Sequence, residues 1–369
     1  MMARTMVLVG TYTQPILFGT GEILEAKGKG VYLYELQQGK LKLISETAAT
    51  NASYLILDRE RRHVYTTNEL KEWEGQFGGA VSAYSADLEK GQLTYQNTVA
   101  THGQDPCHLA LSPDGGTLYC ANYMSGSTTA FPVQEEGLVQ DTSFIQHEGS
   151  GPDPTRQSGP HAHGVFLSPS GRWLYVPDLG ADTLICYAQN QETHTLQPVQ
   201  ERNIVMPNRG EGSRHMAFHP NGKWLYVNTE MGSSVYAYAY DEASGHAEML
   251  QKLSTIPEGT NRQTNSTAAI RIHPNGKFLF VSNRGHDSIA TYQIDPQTGL
   301  LTLLAIQPTG GSTPREFAIS PDGSIMIVAH QSSDNLRVFE LDSETGRMTF
   351  ASQTEVPNPI CVQICSGIL

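Results

Sequence analysis

The sequence predicts an all-β protein: a seven-bladed β-propeller with four-stranded antiparallel blades, its ring closed by N- and C-terminal strands in one blade. Three observations carry this. A unit of about fifty residues recurs along the chain, a period typical of propeller blades. Each copy alternates apolar and polar residues between turn formers, the mark of strands. Apolar segments at the two ends of the chain together make up one more copy.

The first blade takes "VLVGTYT", "GVYLYEL" and "KLKLISE" from the start of the chain and "NPICVQICS" from its end. The last of these stands in the place of a first strand, so the closure removes a free sheet edge. A degenerate second copy reads "SYLILDRERRHVYTTNE", then the insertion "LKEWEGQFGG", then "GGAVSAYSA". The third and fourth copies are "HLALSPDGGTLYCANYMSGSTTAFPV" and "HGVFLSPSGRWLYVPDLGADTLICYAQ". The fifth, sixth and seventh are "RHMAFHPNGKWLYVNTEMGSSVYAYAY", "AAIRIHPNGKFLFVSNRGHDSIATYQI" and "REFAISPDGSIMIVAHQSSDNLRVFEL". Their turn prolines, Pro113, Pro169, Pro220, Pro274 and Pro321, are spaced by 56, 51, 54 and 47 residues. In each copy one strand runs into the Ser/His-Pro-x-Gly turn and a second leaves it. A third follows a Gly/Ser/Asp turn, and a fourth follows "TG" or "EG". The stretch "HEGSGPDPTRQSGP" is too long and polar for a simple turn and reads as a connection between blades. Residues 1–369 are expected to form a single domain.

A net charge of -13, from 24 basic and 37 acidic residues, excludes a phosphate-backbone binder and an anionic membrane surface. The five cysteines are odd in number and mostly sit inside apolar runs, which predicts buried thiols in a reducing compartment. "MMARTMVLVGTYT" reads as a strand and not as an apolar targeting segment, and no run is long enough to span a membrane. The expected location is the cytoplasm, and the expected state is a monomer or a small homo-oligomer.

Antiparallel pairing of the first two strands across the turn identifies the end of each blade nearest the axis. The position five residues before the residue preceding the proline should face the position eleven after it. This pairs Ser53 with Glu69, Cys107 with Tyr123, and His163 with Leu179. It also pairs Arg214 with Glu230, Ala268 with Arg284, and Arg315 with Gln331. An isolated Arg214–Glu230 pair would be a structural cross-strand ion pair. Three arginines, a histidine and two glutamates on one face of an acidic protein point instead to a site for a small polar or anionic ligand. His161 and His163 place two imidazoles on one face of a strand, but no third ligand stands at a metal-binding spacing, so neither metal nor cofactor is expected. His108 and His215 fall on the alternate face, as packing or hydrogen-bonding residues. There is no nucleotide-binding glycine loop and no nucleophile elbow.

"GPHAHGVFLSPSGRWLYVPDLGADTLICY", "RHMAFHPNGKWLYVNTEMGSSV" and "HPNGKFLFVSNRGHDSI" resemble the lactonase family of seven-bladed propellers over essentially the whole chain. "DPCHLALSPDGGTLYCANYMSGS" and "VGTYT" fit the same family. The family includes propeller-type 6-phosphogluconolactonases and 3-carboxy-cis,cis-muconate lactonizing enzymes. In the lactonizing branch the active site is a histidine, two arginines and a glutamate. By motif these fall on His163 (with His161 the close alternative), Arg214, Arg284 and Glu230. The resemblance implies a lactone hydrolase, with 6-phosphogluconolactone the leading substrate. The alternatives are a muconate-type cycloisomerase and a non-catalytic propeller that binds a sugar acid or a protein. Either His163 or Glu230 would be the general base, and Arg214 and Arg284 would clamp the anion and the oxyanion. Arg315, His161, Glu69 and Tyr123 would contact substrate. The insertion at 70–79 is a candidate cover for the mouth. Its Trp73 and Phe77 would either stack on a sugar ring or pack within the loop.

Overall fold

The computed structural model describes residues 4–58, 62–138 and 140–368. The turn of the degenerate second copy, 59–61, lies outside them. Seven antiparallel sheets of four or five strands follow one another along the chain as the blades of a β-propeller. In the first blade the order is Pro359–Ile368, Arg4–Thr11, Gly30–Gln37, Lys40–Ala48, so both ends of the chain meet in one sheet. The second blade runs from Leu55–Leu57 to Gln92–Ala100, the fifth from Ser213–Phe218 to His246–Ser254. The sixth runs from Ser266–Ile272 to Leu301–Pro308, the seventh from Pro314–Ile319 to Met348–Glu355.

Two blades depart from four strands, because their outer edge is broken into two short pieces. In the third, Gly137–Leu138 and Ser143–Gln146 share that edge. Leu138 is held there by Asn97 of the preceding blade, through Nδ2 to its carbonyl at 2.6 Å and through Oδ1 from its N–H at 3.0 Å. In the fourth, a 3-10 turn at Gln200–Arg202 separates Thr195–Pro198 from Ile204–Val205. There the side chain of Asn203 accepts the N–H of Cys186 in place of a ladder partner.

Compact packing divides the chain into two units. One comprises Arg214–Leu369 with Leu33–Ile44 and the start of the chain to Val9; the other comprises Gly10–Tyr32 and Ser45–Ser213. Within each, the second strand of a blade is buried on both faces, as in Trp224–Thr229 and Thr117–Asn122, and the outer strand is largely exposed. Trp224, Tyr226 and Val235 of the fifth blade close on Ile270, Val281 and Tyr292 of the sixth. Tyr119 and Ala130 of the third close on Leu174, Val176 and Tyr187 of the fourth. A second strand covered from both sides is apolar along most of its length and shows little alternation.

The turns do more than reverse the chain. His219 Nε2 donates to Gly276 O in the next blade's turn at 3.0 Å, and His273 Nε2 donates to Gly323 O in the one after, also at 3.0 Å. Each ring accepts through Nδ1 from its own turn, at Asn221 N and Asn275 N. Gly276 and Gly323 have φ of 75° and 76°, and a Cβ on Gly323 would sit 2.4 Å from the His273 ring. The glycine is therefore needed twice, for its backbone and for the incoming imidazole. Where serine replaces the histidine, as at Ser112 and Ser320, the hydroxyl only closes its own turn, on Asp114 and Asp322.

We expect His219→Ala and His273→Ala each to lower unfolding free energy by about 1–2 kcal/mol, measured as a shift in urea midpoint at constant slope. Among the described residues, neither ring nitrogen of His330 has a hydrogen-bond partner. Burial, then Arg337, pushes this imidazole from 6.5 down to about 4. The unfolded chain takes up the proton at its ordinary value and the folded one only near pH 4, so stability falls as pH drops through that interval. The loss is about 3 kcal/mol. In His330→Asn, which carries the residue found at this repeat position in Asn68, Asn122 and Asn283, that part of the pH dependence should vanish from urea midpoints measured between pH 4 and 7.

Candidate active site

The inner strand of the fifth blade opens with Ser213, Arg214 and His215. Arg214 is buried. Its Nε donates to Glu230 Oε2 at 3.0 Å, and its Nη1 donates to Ala268 O at 2.7 Å and lies within 3.3 Å of both His215 ring nitrogens. Glu230 stands just past Trp224–Thr229, at the same end of the blade. Arg284, the last residue of Phe278–Arg284, donates through Nη2 to the same Glu230 Oε2 at 2.8 Å and to Thr267 O at 2.9 Å. One carboxylate oxygen therefore bridges two guanidinium groups. Arg315 Nη1 donates to Gln331 Oε1 at 3.3 Å, and the neighbouring Glu316 is neutralised by Arg271 at 2.9 Å.

Burial, followed by the charges of Arg284 and Arg315, pushes the Arg214 guanidinium down to about 9 despite Glu230. It stays cationic at neutral pH. Arg214, Arg284 and Arg315 against Glu230 leave an excess of positive charge, in a chain whose net charge is -13. Such a locus attracts a small anion.

The strand register corrects the pairing expected from the sequence. Pro106 faces Asn122 and His108 faces Ala121, so Cys107 is skipped. Pro314 faces His330 and Glu316 faces Ala329, so Arg315 is skipped. Thr267 faces Asn283 and Ile270 faces Val281, so Ala268 and Ala269 fall in the same kind of interruption. Arg284 faces Ser266, not Ala268. A bulge at this repeat position takes Cys107 of the third blade, Arg315 of the seventh and Ala268 and Ala269 of the sixth out of the ladder. In the sixth blade the carbonyls of Thr267 and Ala268 receive Arg284 and Arg214.

Asn228 was not among the expected site residues. It is fully buried, and its Nδ2 donates to Thr267 Oγ1 at 2.7 Å and Ala268 O at 2.9 Å, while Oδ1 accepts from His215 N at 3.2 Å. It ties the Arg214 strand to the bulge that orients both arginines. The signal in the sequence was its place: asparagine stands where the other copies carry Thr67, Ala121, Pro177, Ser282 and Ala329.

The remaining expected residues lie in the other unit. His161 and His163 do not share one face of a regular strand, because only the single bridge Ala162–Asp178 forms there. The Asp178 carboxylate takes the His161 N–H at 2.7 Å, and His163 N donates to Pro177 O at 2.9 Å. The two imidazoles meet on the ring of Tyr123. His161 is stacked on it and His163 is edge-on, each with centroids 4.9 Å away. Cys107 Sγ is 3.9 Å from His163 Nδ1. Glu69 is buried and accepts the Tyr12 hydroxyl on both oxygens at 3.1 Å. The insertion forms a hairpin of Glu72–Trp73 and Gln76–Phe77, with Phe77 exposed and Trp73 half-buried. Lys71 Nζ fastens its base to Asp105 and to Leu17 O, both at 3.0 Å. Among the described residues, no group of three or more histidine, cysteine or carboxylate side chains is arranged to hold a metal ion.

The family model described as "Lactonase, 7-bladed beta-propeller" matches residues 6–364. An uncharacterized protein of Lactococcus lactis subsp. lactis, YwcC, is 35% identical over 317 residues, 85% of each chain. The 6-phosphogluconolactonase of Bacillus subtilis is 32% identical over 326 residues, 86% of this chain and 85% of that one. The structure of a periplasmic gluconolactonase from Pseudomonas aeruginosa, PpgL, superposes with a TM-score of 0.88 at 30% identity, covering 99% of each chain.

Glu230→Gln should leave one buried and one half-buried guanidinium group without their counter-charge. We expect a loss of about 3 kcal/mol in urea unfolding, and a larger recovery of stability on adding sulfate than the parent protein shows.

Proposed function

The chain belongs to the lactonase family of seven-bladed β-propellers, and from that premise we propose how it opens a lactone. It is a lactone hydrolase, similar to the 6-phosphogluconolactonases, and 6-phosphogluconolactone is the substrate we assign to it. The observation that carries the reading is the buried bridge in which Glu230 Oε2 holds Arg214 and Arg284 together. The alternatives of a lactonizing enzyme and a non-catalytic platform draw no support from the relatives named above.

Hydrolysis adds water to the lactone carbonyl, and the oxygen that was the carbonyl oxygen becomes an oxyanion. The tetrahedral centre then expels the ring oxygen, which takes a proton to become a hydroxyl. A guanidinium held in place before the reaction stabilises that oxyanion without reorganising. Arg284 is the more exposed of the bridged pair, with 15% of its side chain accessible against 3% for Arg214. We assign Arg284 to the oxyanion, Arg214 to holding the bridge and supplying positive charge behind it, and Arg315 to an accessory contact with the substrate.

Glu230 is engaged by two cations on one oxygen, which suits an anchor better than a base. The proton transfers fall to His163, whose imidazole can take a proton and then give it back. Its assignment rests on its repeat position, the same as that of Arg214, and on the family motif. Tyr123 and His161 orient it, and Glu69 is assigned to polar groups of the substrate. An odd number of cysteines, mostly set inside apolar runs, fits a reducing compartment, and we assign the protein to the cytoplasm. Among the described residues no helix is long and apolar enough to cross a membrane.

The test is hydrolysis of freshly generated 6-phosphogluconolactone, corrected for spontaneous opening. We expect clear turnover by the wild type and a fall of about 100-fold or more in kcat/KM for His163→Ala and for Arg284→Ala, with unchanged circular dichroism. Turnover that survives both substitutions would remove these residues from the mechanism. No turnover above the spontaneous rate would remove the substrate.

A further inference from the structure

Arg156 lies on the polar connection 147–160, outside every group considered so far. Its backbone is fixed. Asp153 Oδ1 accepts the N–H groups of Thr155 and Arg156 at 2.9 Å each. Gln157 is fully buried, and its Nε2 donates to Leu179 O at 2.8 Å. The half-buried guanidinium donates through Nη2 to the Tyr123 hydroxyl at 3.1 Å. Gly19 closes in on the same hydroxyl, where a Cβ would stand only 3.0 Å from it. The ring of the same phenol carries His161, stacked, and His163, edge-on. A cation and the imidazole pair therefore contact one and the same tyrosine, the cation at its hydroxyl.

We propose that Arg156 is a specificity-determining residue that binds the phosphoryl group of the substrate and so selects phosphorylated over neutral lactones. This rests on the lactonase reading above. A six-membered lactone laid along Tyr123 with its carbonyl toward His163 carries its far substituent to the hydroxyl end of the phenol. That is where the guanidinium is. Arginine offers a planar, permanently charged fork that matches a phosphoryl dianion through paired hydrogen bonds. Arg214 and Arg284 are committed to Glu230 and to backbone carbonyls, an arrangement suited to one developing oxyanion and not to a dianion. Gly19 lets its loop pass close over the phenol tip, where a larger residue would crowd the substituent.

The experiment compares kcat/KM for 6-phosphogluconolactone with kcat/KM for glucono-δ-lactone in the wild type, Arg156→Gln and Arg156→Lys. We expect the ratio of the two to fall about 30-fold in Arg156→Gln and by less in Arg156→Lys, with competitive inhibition by 6-phosphogluconate weakening in the same order. A ratio that does not change overturns the proposal, whether both lactones slow together or neither does. A wild type that opens neither lactone removes the lactonase reading, and this inference with it. That result is distinct from an unchanged ratio.

Discussion

Glu230 Oε2 accepts one hydrogen bond from Arg214 and another from Arg284, and nearly the whole of the carboxylate is out of water. In so dry a place each charge depends on the others. A lone guanidinium there would carry a desolvation cost that no hydrogen bond to neutral groups offsets. Most of the local architecture follows from keeping this bridge intact. The fifth and sixth blades must present their inner ends at one fixed separation, and two carbonyls must be free of the ladder to take the remaining N–H groups. Asn228 ties the strand of Arg214 to the segment that carries those carbonyls.

The bulge is the device that makes this possible. A regular ladder would pair Ala268 with the second strand, whereas here its carbonyl takes Arg214 and Asn228. Interrupting it costs ladder bonds in the sixth blade and provides the site with oriented dipoles. The third and seventh blades are interrupted at the same repeat position, where Cys107 and Arg315 stand. The repeat thus interrupts its ladder at one position, and the copies differ in which residue they place there.

Far from that end, the turns hold the blades in line. His219 and His273 reach from one turn to the next, and the glycine that makes each turn possible also leaves room for the ring. The polar groups at the other strand ends are then held by a scaffold whose opposite end is latched, which is how a rigid fold positions such groups without flexible loops.

Period, alternation and turn chemistry are local properties, so the sequence alone determined the seven copies, the closing of the first blade by both chain ends, and the family. It also singled out Arg214, Glu230 and Arg284, because a repeat makes equivalent positions comparable and a charged residue in an apolar register stands out. What it did not determine was which atoms meet. The bulges shift the facing residues by one or two positions, and nothing in the composition of a strand marks the pair of ladder bonds that will be omitted. His161 and His163 were read on the face of a strand, whereas the Asp178 carboxylate draws that segment out of the ladder and lays both rings on Tyr123. Asn228 and Arg156 were passed over because their meaning lies in partners thirty or more residues away. Such contacts are decided only when blades pack, since burial sets which polar groups must find each other and packing decides which of them are near enough to do so.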